Sequence, residues 1–72
     1  MIDVVQSVDR ALSILEILSE NVSGMGLTEI SSKINLHKST VHRLLGTLIS
    51  NNFVTQDSVT NKYKITIKLY EL

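Results

Sequence analysis

The chain has 72 residues, seven Lys plus Arg against seven Asp plus Glu, no Cys, no Pro and a 43% apolar share. One small domain of this length hides only about 60% of its unfolded surface within a radius of gyration of roughly 11 Å, which leaves no enclosed substrate pocket and argues against an enzyme. The absence of Cys fits a reducing interior, and neither an apolar run of roughly 20 residues nor a basic leader is present, since the start Met1-Ile2-Asp3 is acidic; the expected location is cytoplasmic.

From Val8 to Ser19 apolar residues recur at helical spacing as Val8, Ala11, Leu12, Ile14, Leu15, Ile17 and Leu18. This predicts a first helix, capped by Ser7 with Asp9 in its first turn and ended by the glycines between Asn21 and Gly26. With Val8 at 0°, Leu12, Leu15, Ala11 and Leu18 fall between about 280° and 40° and should face the other helices, while Ile14 lies near 240° and Ile17 near 180°. The apolar arc spans about 220° where about 100° suffices for packing, so Ile14 and Ile17, with Val4 and Val5, are the candidate dimer surface. The alternative for Ile17 is packing under its own chain's exit segment, residues 67–72.

A second, short helix should begin near Thr28, whose hydroxyl can cap it with Glu29 in the first turn, and end at Ile34. Asn35 follows, a residue that tolerates the left-handed conformation. The third helix spans Lys38 to Asn51 with Val41, Leu44, Leu45 and Leu48 on one stripe. Its opposite side is polar: Ser39, Arg43, Gly46 and Ser50, flanked by Thr40, His42 and Thr47. The pattern then alternates over Phe53 to Gln56 and over Lys62 to Ile67, which predicts a hairpin with Tyr63, Ile65 and Ile67 inward and Lys62, Lys64 and Lys68 outward.

The balanced charge is unevenly spread. Residues 1–32 hold Arg10 against Asp3, Asp9, Glu16, Glu20 and Glu29, a net of −4, whereas residues 33–72 hold Lys33, Lys38, Arg43, Lys62, Lys64 and Lys68 against Asp57 and Glu71, a net of +4. No acid lies between Glu29 and Asp57. Only the second half is suited to face phosphate.

Three helices closed by a hairpin is the order of a winged helix-turn-helix, a mainly α fold, and the twenty residues from Leu27 to Gly46 test it by position. Apolar residues are needed at the fourth, eighth, tenth, fifteenth and eighteenth places, and they are Ile30, Ile34, Leu36, Val41 and Leu44. The fifth must be small and is Ser31; the ninth must turn and is Asn35.

Three runs then carry a closer likeness: Val5-Gln6-Ser7-Val8-Asp9-Arg10-Ala11-Leu12, Leu27-Thr28-Glu29-Ile30, and Lys38-Ser39-Thr40-Val41-His42-Arg43-Leu44-Leu45. With Tyr63-Lys64-Ile65 and Leu69-Tyr70-Glu71-Leu72, the whole chain resembles the N-terminal domain of IclR-type bacterial transcription regulators. The resemblance implies a DNA-binding repressor or activator that dimerises and carries a further C-terminal domain for a small-molecule effector. On that pattern residues 1–66 are the DNA-binding domain, with the helix-turn-helix at 27–46, and 67–72 begin a linker. Three positions depart from it: Asn35 where the family usually has Gly, His37 where it usually has Pro, and Thr66 where Gly is common.

Arg43 projects from the centre of the polar face, where its guanidinium can pair with guanine in the major groove, and no acid is near enough along the helix to occupy it. Lys38, Ser39 and Thr40 stand in the first turn, whose free amides favour an anion; Ser39 and Thr40 could alternatively cap the helix. Thr28, His42 and Thr47 complete the expected DNA-facing set. Lys62 and Lys64 would serve a wing that meets the backbone or minor groove, although lysine on an edge strand also guards against aggregation. His37 and His42 are five apart, unlike the spacing that puts two ligands on one helical face, so no metal and no cofactor are expected. Ser39, His42 and Asp57 name a hydrolytic triad, but a helix surface without an oxyanion hole cannot activate the serine. The expected partner is double-stranded DNA bearing a palindromic site, bound by a homodimer with no membrane involvement. The competing reading is a winged helix used for protein contact.

Overall fold

The computed structural model describes residues 3–72; Met1 and Ile2, with which the expected domain begins, lie outside them. The chain runs α1 (Gln6–Ser19), α2 (Leu27–Ile34), α3 (Lys38–Ser50), β1 (Val54–Gln56), β2 (Tyr63–Ile65) and α4 (Ile67–Tyr70). The strands pair antiparallel with Val54 opposite Ile65, Thr55 opposite Lys64 and Gln56 opposite Tyr63. The Cα radius of gyration is 11.9 Å. This is the winged helix-turn-helix that the spacing predicts.

One core holds it together. Ile14 and Leu18 of α1, Ile30 of α2, and Val41, Leu45 and Leu48 of α3 meet Met25, Val54 and Tyr63, and no polar side chain is buried with them among the described residues. The helix-turn-helix positions behave as their spacing requires: Ile30 and Val41 are buried, while Ile34, Leu36 and Leu44 pack half-buried against the core. Asn35 ends α2 in the left-handed region at φ 54° and ψ 50°, its amide donating to the Ser31 carbonyl. That lets Leu36 turn back onto the core before α3 begins.

Helix α1 is rotated relative to the expectation. Ile14 is fully buried and so cannot form a dimer surface, and Ile17 packs half-buried against the same core. Val8 and Leu12, expected inside, are 56% and 53% exposed, in line with Val4 and Val5. The apolar arc has the expected width, but its buried centre lies near Ile14 and Leu18, at about 260° on the same wheel, because α1 packs against β2 as well as α2 and α3.

The caps also differ. Ser7 lies inside α1, which starts from Val5 without a side-chain cap. Thr28 lies inside α2, whose N-cap is Gly26; there the Glu29 carboxylate accepts the Gly26 amide at 3.2 Å, so the acid in the first turn does the capping. The hairpin is shorter than the alternation suggests, since Ile67 leaves the strand for α4 and is 75% exposed. Thr66 fixes that departure: its amide donates to the Phe53 carbonyl at 3.0 Å and its hydroxyl to the Asn52 carbonyl at 2.5 Å. Lys68 adds a bond from Nζ to the Asn51 carbonyl at 3.0 Å and lies 4.9 Å over the Phe53 ring.

Candidate nucleic-acid interface

Helix α3 buries Val41, Leu45 and Leu48, and that choice forces Lys38, Ser39, His42, Arg43, Gly46 and Thr47 outward. Thr40 is half-buried at the edge of the same face. The helix starts from His37 with no side-chain cap, and its first backbone bond runs from the Val41 amide to the His37 carbonyl. The amides of Lys38, Ser39 and Thr40 therefore have no intrahelical acceptor, and the positive end of the helix dipole lies among them. Ser39 and Thr40 do not take the capping role. Thr47 donates its hydroxyl to the Arg43 carbonyl at 3.4 Å, leaving its oxygen free to accept.

A groove between α1 and α3 is lined by Ser7, Arg10, Thr40, Arg43, Leu44 and Thr47. A second one beside it is lined by Arg10, Asn35, Leu36, His37 and Thr40. Arg10 therefore belongs with the α3 residues, a membership the sequence reading does not anticipate. Charge counted along the chain puts it in the acidic half, and the signal that could have found it is the shared wheel position: Arg10 lies next to Ile17 on α1, beside the arc that packs on α3.

Thr28 is exposed at the second position of α2. Lys62 and Lys64 are carried by the hairpin, Lys62 exposed just before β2 and Lys64 half-buried within it. Strand β2 is not an open edge, because Met25 pairs with Tyr63 on its other side through bonds of 3.0 and 2.8 Å. That weakens the reading of these lysines as edge protection alone. The tip is ordered by Asp57, whose Oδ1 accepts the amides of Val59 at 2.7 Å and Thr60 at 3.0 Å. Those bonds, to Thr60 first and then Val59, together with the charge of Lys64, hold its carboxyl below the usual value.

Among the described residues, no cluster of His, Cys, Asp or Glu has the makings of a metal site. Ser39 and His42 lie on an open helix surface, and Asp57 is tied into the wing turn, so no triad is assembled.

An exposed polar helix held against a helix-turn, with basic residues beside it and a two-stranded wing, defines a DNA-binding domain of the winged helix-turn-helix class. The sequence matches the IclR helix-turn-helix domain over residues 7–58. It is 40% identical over 68 residues to the HTH-type transcriptional regulator XynR of Escherichia coli strain K12, covering 94% of this chain and 27% of that protein. To the HTH-type transcriptional regulator KdgR of Dickeya chrysanthemi it is 41% identical over 70 residues, covering 97% of this chain and 23% of that one. The crystal structure of an IclR transcriptional regulator from Alicyclobacillus acidocaldarius superposes with a TM-score of 0.89 at 31% identity, over 96% of this chain and 28% of that one. The chain belongs to the IclR helix-turn-helix family. It spans about a quarter of the length of the curated relatives it matches. Those relatives are named as HTH-type transcriptional regulators.

Proposed function

We propose that the chain binds double-stranded DNA in a sequence-dependent manner by laying α3 in the major groove. Arg43 reads base edges there, His42 and Thr47 flank it, and Lys38, Ser39, Thr40 and Thr28 bind backbone phosphate. Arg10 adds a phosphate contact from α1, and Lys62 and Lys64 hold the flanking backbone or minor groove. The observation that carries this reading is the groove in which Arg10 and Arg43 stand beside the uncapped first turn of α3. It supplies two guanidinium groups and free amides to one anionic partner, whereas a protein-contact face would favour apolar anchors.

The functional unit is a homodimer on a palindromic site. The self-association surface is Val4 and Val5 with Val8 and Leu12, which are all more than half exposed and line one shallow apolar groove. A neighbouring apolar groove continues the patch through Leu15, Leu44, Leu48 and Phe53. Two-fold pairing along α1 places the two copies of α3 about one helical turn of DNA apart. Residues 67–72 begin the linker to an effector domain, through which a small molecule acts on the regulator in the cytoplasm. No helix among the described residues is long and apolar enough to cross a membrane.

Salt-dependent binding to random duplex tests the reading. Each phosphate neutralised contributes about −0.9 to the slope of log affinity against log salt, so several contacts give a steep slope. A flat response would point to the protein-contact alternative.

A further inference from the structure

We propose that Gly24 is a positioning residue for the wing, its bare α-carbon forming the seat on which the aliphatic stems of Lys62 and Lys64 rest. The proposal deepens the reading above, since it rests on these lysines meeting the DNA backbone. The antiparallel bridge between Met25 and Tyr63 brings Gly24 alongside Lys64. At Gly24 the backbone has φ +100°, and a Cβ there would stand 3.0 Å from Lys64 Cγ, 3.2 Å from Lys64 Cε and 3.1 Å from Lys62 Cβ. Lys62, exposed just before β2, meets this position through its Cβ, which the backbone fixes, and Lys64 Cγ is only one bond further out on the paired strand, so neither can simply swing aside. Lys64 is half-buried, which suits a side chain whose methylenes lie along a surface while its head reaches out.

The consequence is a directed pair of cations. Free lysines lose rotamer freedom when they grip a phosphate, and stems already laid against a surface lose less. The two side chains leave the same side of the wing, because both lie against Gly24. A methyl at position 24 would lift both stems from their seat and scatter the heads, weakening the grip without removing a charge.

The test has two arms. In the free chain, NMR relaxation of the lysine methylenes should show the stems of Lys62 and Lys64 restricted relative to those of the exposed Lys33 and Lys38. In binding, Gly24→Ala should weaken affinity for a random-sequence duplex several-fold and flatten the salt slope by about one unit for each phosphate that is no longer neutralised. In a Lys62→Ala/Lys64→Ala background the same change should alter affinity less than twofold. Stems as mobile as that of Lys33, or an equal loss in both backgrounds, would overturn the proposal. If Gly24→Ala does not fold, the relaxation arm decides alone. If Lys62→Ala/Lys64→Ala binds like the parent while its parent's stems are restricted, the seat stands but its role in DNA binding fails, which overturns the proposal through its premise.

Discussion

Arg10 of α1 and Arg43 of α3 line one groove, joined across it by Ser7, Thr40 and Thr47. The two guanidinium groups differ in place: Arg43 is exposed at mid-face of α3, while Arg10 is half-buried at its flank and also lines the pocket against the turn residues Asn35 and His37. Central and flanking positions on a DNA-facing surface divide into base readout and phosphate contact.

That division predicts unlike defects. Arg43→Ala should cost on the order of 1 to 3 kcal/mol and relax base preference at one position per half-site. Arg10→Ala and Lys62→Ala should weaken all sequences alike and reduce the salt slope by about one unit each. Selection from a random DNA pool, with affinities measured at several salt concentrations, separates the two patterns; equal loss of specificity from Arg43→Ala and Arg10→Ala would contradict them.

On α1 the buried and exposed apolar residues should respond oppositely. Ile14→Val should lower stability by about 0.5 to 1.5 kcal/mol without changing association, because a methyl group is removed from a filled core. Leu12→Glu should abolish pairing and leave thermal stability nearly unchanged. Sedimentation and thermal unfolding of both variants check this.

The rotation of α1 shows where sequence reasoning stops. Periodicity reveals an apolar arc and its width, but an arc of about 220° has two ends, and only the partners decide which is buried. Met25, which pairs with β2 and is buried in the core, is a single bridge residue between α1 and α2 and gives no periodic signal. The helix-turn-helix is legible because Ile30, Asn35 and Val41 act through local spacing. Arg10 is not, since its neighbours in the groove come from a helix beyond two turns, and charge counted along the chain places it with acids it does not face.

Asp57 makes the wing sensitive to acid. Its carboxyl is held below the ordinary value of 3.8 by the Thr60 and Val59 amides, so the ionised form is favoured by folding. The contribution is fully present above that ordinary value and disappears as pH falls through the lower folded value. A carboxyl carbon titration followed by NMR should place the Asp57 midpoint below 3.8, with the Val59 and Thr60 amides shifting together with it. A midpoint at or above 3.8 would contradict the turn.

Gly46 stands on the outward side of α3, where an added Cβ meets nothing within 4 Å. Crowding inside the chain therefore does not explain a glycine in mid-helix. Gly46→Ala should raise stability by about 1 kcal/mol, from helix propensity alone, and lower affinity for duplex DNA because a methyl holds the helix away from the bases. Thermal unfolding and duplex titration of the one variant read both effects.

The most direct test of the DNA-facing surface is a map of backbone amide shifts as a random-sequence duplex is added to the isotopically labelled chain. Shifts should concentrate at Ser7 to Arg10, at Lys38 to Thr47 and at Lys62 to Lys64, and fade as salt rises. Shifts gathered instead on Lys33 of α2 or Glu71 beyond α4, with Arg43 and its neighbours unmoved, would contradict the assignment of α3 to the major groove.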